Sequence, residues 1–422
     1  MNLTSCKVAV VGLGYVGLPL LIEFSKKYSS IGFDIDKKRI AELKEGFDKT
    51  NEISEKDLEA SISNGLRVTN DEKYLSDFNV FIITVPTPLD KNKDPDLKYL
   101  SEASKTVSKY IKKDDIIIYE STVYPGCTEE FCVPILEGGT KLKYNKDFFC
   151  GYSPERINPG DKINTITNIK KVTSGSNLNT AKTVNQLYLS IISAGTYLAN
   201  SIKVAEASKA IENAQRDLNI SFMNELALMF DKMDIDTNEV IEAASTKWNF
   251  LKFKPGIVGG HCISVDPYYL VYKSKTLGYT PKVILSGREV NEKIGLFICN
   301  KVINLLKKNN VSIKGSKSLI LGITFKENCP DIRNSKVIEI YNYLISKGVI
   351  VDLHDPHANR DEVKNKLGVN LLTTFEKYDS IILAVPHDHY KSLNFNNFKR
   401  NANSILYDVK GLLPKSDSNG RL

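Results

Sequence analysis

The chain has 422 residues, with 57 Lys and Arg against 50 Asp and Glu, which gives a formal net charge of +7. Apolar residues make up 42% and charged residues 25%, an ordinary globular composition that excludes collagen-like, wholly disordered and membrane proteins. This net charge is too small for its chain length to indicate a nucleic-acid-binding surface. At roughly 100–200 residues per domain, the length predicts two to four domains.

Seven cysteines are scattered along the chain, and no two form a CxxC pair. An odd number without paired spacing argues against a disulfide framework and predicts a reducing, cytoplasmic setting. The most apolar early stretch, residues 8–22, contains three glycines and a proline and is too short to span a bilayer. We therefore expect neither a membrane anchor nor a signal peptide.

The first third of the chain alternates short β-rich runs with helical segments, which is typical of a parallel, doubly wound sheet. An apolar helix is predicted after the first strand, ending near Lys27. Strands are predicted at 7–11, 30–33, 80–85, 116–119 and 148–151.

The middle of the chain is helical. Residues 201–233 contain neither Gly nor Pro, and their apolar residues recur at helical spacing, which predicts one long amphipathic helix. Helical sequence continues to about residue 246 and resumes around 284–308, after a Gly/Pro-rich loop at 252–262.

The last third repeats the pattern of the first. Strands are predicted at 318–322, 349–353, 378–386 and 405–407, followed by a polar, frayed tail after Pro414. The predicted fold is α/β, with two Rossmann-like doubly wound domains joined by a central helical domain with a long connecting helix. The predicted boundaries are 1–198, 199–308 and 309–422.

A dinucleotide-binding fingerprint follows the first predicted strand. Gly12, Gly14 and Gly17 form a GxGxxG pattern that opens a helix, and Asp34 ends the next strand, 22 positions after the first glycine. The helix N-terminus would hold a pyrophosphate. Asp34 would bind ribose hydroxyls and repel the extra phosphate of NADP, so the pattern predicts NAD. A glycine turn without a ligand is the alternative.

One cysteine stands in an unusual setting. Cys262 follows a loop with three glycines and a proline, and His261 and Asp266 are polar neighbours that could set its protonation state. A single loop cysteine is more often structural. Beside an NAD site, however, a cysteine that forms an acyl intermediate suits oxidation to the acid level. The other six cysteines are predicted to be packing residues.

Two histidine pairs have metal-like spacing, His354 with His357 and His387 with His389. Both pairs lie at predicted strand ends without a carboxylate-rich set of neighbours. We expect no metal site.

Several motifs together resemble one family, the nucleotide-sugar 6-dehydrogenases that act on UDP-glucose and UDP-N-acetylhexosamines. The resemblance covers essentially the whole chain, and Gly-Gly-His-Cys-Ile followed by Val-Asp-Pro-Tyr-Tyr is similar to the N-acetylhexosamine branch. It is closest to the Vi-polysaccharide type of UDP-N-acetylglucosamine 6-dehydrogenase. In chain order the motifs are Gly12–Gly17, Val85–Pro88, Glu120–Val123, Ser153–Arg156, Glu206–Asn213, Gly259–Cys262 with Asp266, and Phe325–Asn328 with Asp331–Arg333.

The resemblance implies a set of catalytic residues. Cys262 would be the nucleophile, and Lys209 would stabilise an oxyanion or activate water with help from Asn213. Asp266 would share proton transfer with the lysine. Thr122 would position water and touch the cofactor, and Glu155 would be a general base. In the glucose branch a second glutamate follows Glu155 by four residues; here that position is Pro159, so its role is absent or moved.

The resemblance also implies binding residues. On the cofactor side they are Gly12, Gly14, Tyr15, Val16, Gly17, Asp34, Arg39, Thr87, Thr122 and Arg333. On the substrate side they are Glu155, Arg156, Lys209, Asn213, Lys247, Phe250, Leu251, Phe253, Gly256, Gly259, Arg288, Phe325 and Lys326. Asn291 is a further candidate. Lys247 would replace an arginine that the family takes from the partner subunit.

The implied function is NAD-dependent, four-electron oxidation at C6 of a UDP-N-acetylhexosamine to the uronic acid, for surface polysaccharide synthesis. UDP-N-acetylglucosamine is favoured and UDP-N-acetylgalactosamine comes next. The alternatives are UDP-N-acetylmannosamine or UDP-glucose as substrate, a two-electron hydroxyacid dehydrogenase, and a silent NAD-binding protein. A homodimer through the central helical domain is expected. The sequence does not fix the configuration of the hexosamine.

Overall fold

A computed structural model describes residues 3–157 and 164–422 of the chain. It divides into two compact units. The first comprises Met1–Glu212 with Tyr268–Tyr279, and the second comprises Asn213–Pro267 with Thr280–Leu422. Pro159, which stands where the glucose branch has its second glutamate, lies outside the described residues. The three domain boundaries predicted above remain a proposal.

The first unit is built on one sheet of eight strands in the order β3-β2-β1-β4-β5-β6-β7-β8. Neighbouring strands are parallel except β6 and β7, which pair antiparallel. Strands β4 and β5 are buried along their whole length, as expected for a sheet covered on both faces. The strands are β1 (Lys7–Val11), β2 (Ser29–Phe33), β3 (Arg67–Thr69), β4 (Val80–Ile83), β5 (Ile116–Tyr119), β6 (Phe149–Tyr152), β7 (Lys171–Gly175) and β8 (Thr196–Leu198).

Helices connect the strands of the first unit. Several begin at polar caps, which satisfy the first backbone N–H groups. For example, the Asp36 side chain accepts hydrogen bonds from the backbone N–H groups of Lys38 and Arg39. The helices are α1 (Gly17–Ser25), α2 (Lys37–Lys44), α3 (Glu55–Ser63), α4 (Lys98–Ser108), α5 (Val133–Gly139) and α6 (Leu178–Leu189).

Long helices dominate the middle of the chain, as the sequence predicts. They are α7 (Ile202–Met233), α8 (Thr237–Ala244), α9 (Asp266–Thr276) and α10 (Lys282–Lys308). Helices α7 and α9 contribute residues to both units. The sequence reading missed α9, because its tyrosines and lysines lack a clear apolar period.

The second unit carries a parallel sheet of five strands in the order β10-β9-β11-β12-β13. Its core joins Ile298 and Val302 of α10 to the sheet and to the next helix, which contributes Ile340 and Leu344. The elements are β9 (Lys317–Leu321), α11 (Val337–Ser346), β10 (Ile350–His354), α12 (Arg360–Leu367), β11 (Ser380–Leu383), β12 (Ile405–Asp408) and β13 (Gly420–Arg421).

The predicted frayed tail is wrong. Strand β13 pairs parallel with β12, and Leu422 is only 3% exposed. The Arg421 guanidinium forms two 2.9 Å hydrogen bonds to the Asp236 carboxylate. The prediction of a frayed tail rested on the polar composition of the segment. The segment is instead anchored by the burial of Leu422 and by the ion pair of Arg421.

The two sheets repeat one local geometry, as the sequence predicts. Gly12 and Gly322 have positive φ angles of 96° and 86°, a region that favours glycine. Each donates its backbone N–H at 2.8 Å to the last carbonyl of the neighbouring strand, Phe33 in one case and His354 in the other.

Candidate active site

The glycine turn of the first unit has the shape required to cradle a phosphate. A Cβ on Gly17 would lie 1.8 Å from the Gly12 carbonyl oxygen, so only glycine lets α1 pack here. A Cβ on Gly14 would meet no protein atom within 4 Å, so the protein's own packing does not demand this glycine. The turn therefore leaves room for a ligand beside the backbone. Tyr15 and Val16 lie half-buried between the glycines.

Asp34 lies at the end of β2 and is tied to the turn. Its Oδ2 accepts a 2.8 Å hydrogen bond from the Leu13 backbone N–H, and its Oδ1 accepts one from Asp36. A half-buried carboxylate at this position can accept from ribose hydroxyls and disfavours a phosphate.

Arg39 lies beneath the same turn and is almost fully buried. Its Nε donates to the Leu13 carbonyl at 2.9 Å, and its Nη2 pairs with Asp48 at 2.7 Å. Burial raises the pKa of Asp48, but hydrogen bonds from Thr50 and Arg39 outweigh this and hold it below its usual value. Among the described residues, Arg39 Nη1 is buried without a hydrogen-bond partner. Together, the glycine turn, Asp34 and this unsatisfied donor fit a bound dinucleotide.

Two threonines meet where adjacent strands end. Thr87 follows β4 and Thr122 follows β5, and the Thr87 hydroxyl donates to the Thr122 carbonyl at 2.7 Å. The Tyr269 hydroxyl donates to the Thr87 carbonyl at 2.5 Å. This is the carboxyl edge of a parallel sheet, where ligands of such folds bind.

Glu155 lies in a buried charged cluster at the end of β6. Its Oε2 is 3.0 Å from the Lys171 ammonium, which is also 2.6 Å from Glu120. Its Oε1 accepts from the backbone N–H groups of Arg156 and Ile157, each at 2.6 Å. Burial raises the pKa of Glu155, but Lys171 and these N–H groups outweigh burial and lower it below the usual value.

Glu120 pairs with the same lysine, but its pKa shifts in the opposite direction. Burial raises its pKa to about 7 despite the attraction of Lys171, and the Tyr188 hydroxyl donates to its Oε1. Lys171 was missed by sequence reasoning. One lysine at the start of a short strand carries no signal until its two carboxylate partners are known.

Arg156 and Lys209 take different positions within the first unit. The Arg156 guanidinium pairs with Glu212 at 2.7 Å and donates to the Lys170 carbonyl at 2.8 Å, which fixes its direction. Lys209 is on α7 and is only 8% exposed, so it is not the solvated lysine that an amphipathic helix would usually carry.

Cys262 and its polar neighbours belong to the second unit. Cys262 lies in a turn just before α9, and its carbonyl accepts the backbone N–H groups of Val265 and Asp266. The Asn213 side-chain amide donates to Asp266 Oδ2 at 2.5 Å. Cys262 is half-buried, while the other six cysteines are buried as predicted. None of the seven, all within the described residues, forms a disulfide.

The glycines before Cys262 pack against the segment that follows β9. A Cβ on Gly259 would lie 2.7 Å from the Asn334 carbonyl oxygen, and one on Gly260 would lie 2.7 Å from the Phe325 ring. The Asn334 side chain also donates to the Gly260 carbonyl at 3.2 Å. These close contacts explain the glycine-rich sequence.

Arg333 is held beside the same loop. Its guanidinium makes three hydrogen bonds of 2.6–3.0 Å to Asp331 and approaches His261 Nδ1 at 3.5 Å. Burial raises the pKa of Asp331, but the Arg333 contacts outweigh it and lower the pKa. The arginine is therefore oriented and still exposed.

A buried polar network holds the other end of the cysteine loop. Asn224 Nδ2 donates to the Gly256 carbonyl at 3.0 Å, and Asn224 Oδ1 accepts the Gly256 N–H at 2.8 Å. Asn224 also bonds Asn291, which bonds Asp217, and Asp217 pairs with Arg288 at 2.6 Å. The network places Arg288 in the interior, where it supports the helices around Gly256.

The loop between α8 and Gly256 is more exposed. Lys247 and Leu251 are exposed, and Phe250 and Phe253 are half-buried. Trp248 is 91% exposed, which is unusual for the largest side chain.

Phe325 and Lys326 lie half-buried in the loop after β9. The Lys326 ammonium lies 5.5 Å from the Phe325 ring centroid, and the Lys326 carbonyl accepts from the Thr324 hydroxyl at 3.0 Å. The neighbouring Glu327 pairs with Lys410 at 2.6 Å.

The histidines near this loop pack against one another. The His354 and His389 rings stack at 5.7 Å, and the His357 and His387 rings are 4.9 Å apart. Within residues 3–157 and 164–422, no group of three or more His, Cys, Asp or Glu side chains has the arrangement of a metal site. No helix in that part of the chain is both long and apolar enough to cross a bilayer.

Three family models match the chain in order. They describe the NAD binding domain (residues 6–192), central domain (203–293) and UDP binding domain (319–415) of the UDP-glucose/GDP-mannose dehydrogenase family. Together with two Rossmann-like sheets and the glycine turn, they define an NAD-dependent nucleotide-sugar dehydrogenase. The chain belongs to the UDP-glucose/GDP-mannose dehydrogenase family.

Individual relatives agree with this assignment. The chain is 50% identical to UDP-N-acetyl-D-glucosamine 6-dehydrogenase of Pseudomonas aeruginosa, over 99% of both chains. It is 49% identical to the enzyme of the same name from Salmonella typhi, over 99% of this chain and 98% of that one. Among solved structures, UDP-D-ManNAc dehydrogenase from Pyrococcus horikoshii superimposes with a TM-score of 0.89 at 30% identity, over 98% of both chains.

Proposed function

We propose that the protein oxidises C6 of a UDP-N-acetylhexosamine to the carboxylate, with UDP-N-acetylglucosamine favoured and UDP-N-acetylgalactosamine next. Two relatives that are about 50% identical to this chain are named UDP-N-acetyl-D-glucosamine 6-dehydrogenase, which supports UDP-N-acetylglucosamine as the substrate. The observation that carries the reaction is Cys262, held in a glycine-rich turn four residues before Asp266, whose carboxylate receives the Asn213 amide. A cysteine one helical turn before an oriented acid–amide pair suits an acyl intermediate.

The cofactor would be held chiefly by the first unit. Gly12, Gly14 and Gly17 would receive the pyrophosphate, with Tyr15 and Val16 at the same turn. Asp34 would accept from the ribose hydroxyls, and Arg39 Nη1 has an unused donor beneath the turn. Further cofactor-side contacts are assigned to Thr87, Thr122 and Arg333. When bound, NAD supplies the acceptor for two electrons in each of two oxidations.

Cys262 would act between the two oxidations. Its thiolate adds to the C6 carbonyl carbon of the aldehyde, forming a C–S bond and moving the carbonyl electron pair to oxygen. The second oxidation converts this thiohemiacetal to a thioester. Water then attacks the thioester carbon, the C–S bond breaks, and the carboxylate leaves with the thiolate restored.

Four other residues would manage charge and protons. The Lys209 ammonium stabilises the developing oxyanion. Asp266, oriented by Asn213, exchanges the protons released from the C6 hydroxyl and from water. Thr122 orients water. Glu155 either stays ionised and accepts a hydrogen bond from the substrate or serves as a general base.

The UDP-sugar would be held by residues of the loops described above. Gly259 lets the cysteine loop pack closely on the Asn334 backbone and so holds the loop in place for the substrate. The remaining substrate-side residues are Arg156, Lys247, Phe250, Leu251, Phe253, Gly256, Phe325, Lys326 and Arg288, the last through the buried network that supports Gly256.

The biological setting is proposed on the same basis. The protein would be cytoplasmic, would form a homodimer through α7 and its neighbours, and would supply a uronic acid for capsule or O-antigen synthesis. Exposed apolar side chains along α7, including Val204, Ile211 and Phe222, favour a helical contact between copies. Three domains with boundaries at 198/199 and 308/309 remain part of this proposal.

Stoichiometry tests the reaction. The proposed enzyme forms about two NADH for each UDP-sugar consumed, because two oxidations precede hydrolysis. A ratio near one would indicate a two-electron hydroxyacid-type dehydrogenase instead. No NAD reduction with any sugar would indicate a silent binding protein.

A panel of UDP-sugars tests the substrate. UDP-N-acetylglucosamine should give the highest kcat/KM, followed by UDP-N-acetylgalactosamine. UDP-N-acetylmannosamine is the first alternative outside the proposal, because the structure named UDP-D-ManNAc dehydrogenase from Pyrococcus horikoshii superimposes over nearly the whole chain. UDP-glucose completes the panel, and a preference for either of the last two would overturn the proposed sugar.

A further inference from the structure

His387 lies at the centre of a buried hydrogen-bond network in the second unit. It is 0% exposed, in the turn after β11. Its Nδ1 accepts the Asn328 backbone N–H at 2.9 Å. Its Nε2 lies 3.0 Å from Asp355 Oδ2 and 3.2 Å from the Thr324 hydroxyl. Because Nδ1 accepts, the ring proton belongs on Nε2, which donates to Asp355.

Asp355 is the counterpart of Asp34 in the repeated sheet geometry, yet its bonding differs. Its Oδ2 accepts the backbone N–H groups of Ile323 and Thr324 at 2.7 and 3.2 Å, in addition to His387. Its Oδ1 accepts those of His357 and Ala358 at 2.8 and 2.9 Å. Asp34 accepts two of the corresponding backbone N–H groups, whereas Asp355 accepts four and the His387 ring N–H, so Asp355 is committed to holding the protein's own backbone.

The segment 323–328 is therefore fastened at both ends. Asp355 holds its start, and His387 joins Asp355 to its end at Asn328. The Asn328 side chain adds hydrogen bonds of 2.8 and 3.1 Å to Asp388, and its φ of 53° gives the segment a sharp left-handed turn. Phe325 and Lys326 lie between these two fastened ends.

We propose that His387 is a positioning residue for UDP. Its neutral imidazole couples Asp355 to the Asn328 backbone and so fixes Phe325 and Lys326 in the geometry that binds the nucleotide. This rests on the proposed assignment of UDP to that loop, within residues that match the family's UDP binding domain. The inference adds a residue that itself touches no ligand.

Two amide substitutions at His387 test its hydrogen bonds to Asn328 and to Asp355 one at a time. His387→Asn places an amide oxygen near the Nδ1 position, so it can still accept from Asn328. His387→Gln reaches the Nε2 position toward Asp355 and leaves the Asn328 N–H without its acceptor. A buried unpaired donor is costly, so we expect about tenfold weaker UDP binding for His387→Gln. His387→Asn keeps the Asn328 bond but gives up the bond to Asp355, so we expect a smaller loss of UDP affinity for it.

The experiment measures UDP and NAD binding separately by calorimetry on the full chain. UDP contains no sugar, so the result does not depend on which hexosamine is oxidised. NAD affinity should change much less than UDP affinity in both variants, because most of the proposed NAD contacts lie in the first unit. His389→Leu is the matched control, since His389 is exposed and its ring contacts His354 and Tyr390 rather than the 323–328 segment.

The outcomes are distinct. Lys326→Ala should weaken UDP binding at least as much as His387→Gln. If Lys326→Ala weakens UDP binding but His387→Gln does not, His387 is not a positioning residue and the inference fails alone. If Lys326→Ala leaves UDP binding intact, the loop is not the UDP site and both proposals fall. Equal loss of NAD and UDP affinity in His387→Gln would mean general damage and would also overturn the inference.

Discussion

The Lys171 ammonium lies 3.0 Å from the Glu155 carboxylate, and both side chains are buried. Glu120, at 2.6 Å, competes for the same cation. Burial raises the pKa of Glu120 to about 7, whereas Lys171 and two backbone N–H groups together hold the pKa of Glu155 below its usual value. Glu155 therefore carries the negative charge more readily, and a carboxylate with a lowered pKa is a weak base at neutral pH.

Lys171→Met should be strongly destabilising. It leaves two buried carboxylates without their cation, a change that typically costs about 3–5 kcal/mol in the free energy of unfolding. Urea denaturation at neutral pH would measure this. Lys170→Met is the control, because Lys170 is exposed. Adding Glu120→Gln to Lys171→Met should recover part of the loss, and equal stability of Lys171→Met and wild type would contradict the assigned charge pairing.

Cys262→Ala should abolish uronate formation without unfolding the chain. The half-buried thiol is the proposed acyl carrier, and alanine cannot form the C–S bond. Mass spectrometry of the products and a thermal melt would measure the two effects. Cys6→Ala is the control. It removes a buried thiol from the hydrophobic core of the first unit and should keep activity at a modest cost in stability. Continued acid production by Cys262→Ala would exclude the thioester route.

Asp34→Asn should shift cofactor preference toward NADP. The amide can still accept the Leu13 N–H, so the turn keeps its support, but the negative charge that repels a 2′-phosphate is gone. The ratio of kcat/KM for NAD to that for NADP should fall by about tenfold or more, since one good charged hydrogen bond is worth roughly 1.5–3 kcal/mol. Asp36→Ala, which removes the cap of α2 and an exposed pair with Lys49, should leave the ratio unchanged.

The sequence predicts some of these features far better than others. The NAD turn is local, since Gly12, Gly17 and Asp34 are related by fixed spacing, and the Leu13 to Asp34 hydrogen bond follows from it. Lys171 and His387 gain their meaning from partners far away in the chain, so no spacing reveals them. The same reason explains the missed anchor at Leu422, whose burial depends on tertiary contacts rather than on local composition.

Acid should weaken the protein through Glu292. Burial raises its pKa, but Lys336 at 3.0 Å and Arg288 at 2.6 Å outweigh burial and lower it to about 2. A lowered native-state pKa stabilises the fold above the unfolded value of 4.5, and this stability is lost as pH falls toward 2.

Glu292→Gln removes that contribution together with the ion pair to Arg288. We expect the variant to lose about 1–3 kcal/mol of unfolding free energy at pH 7. The difference from wild type should shrink progressively between about pH 4.5 and pH 2. Urea denaturation at several pH values would measure it. Glu289→Gln removes an exposed pair with Lys293 and should show only a small effect at each of these pH values. A wild-type-minus-Glu292→Gln difference that stays constant on acidification would contradict the lowered pKa.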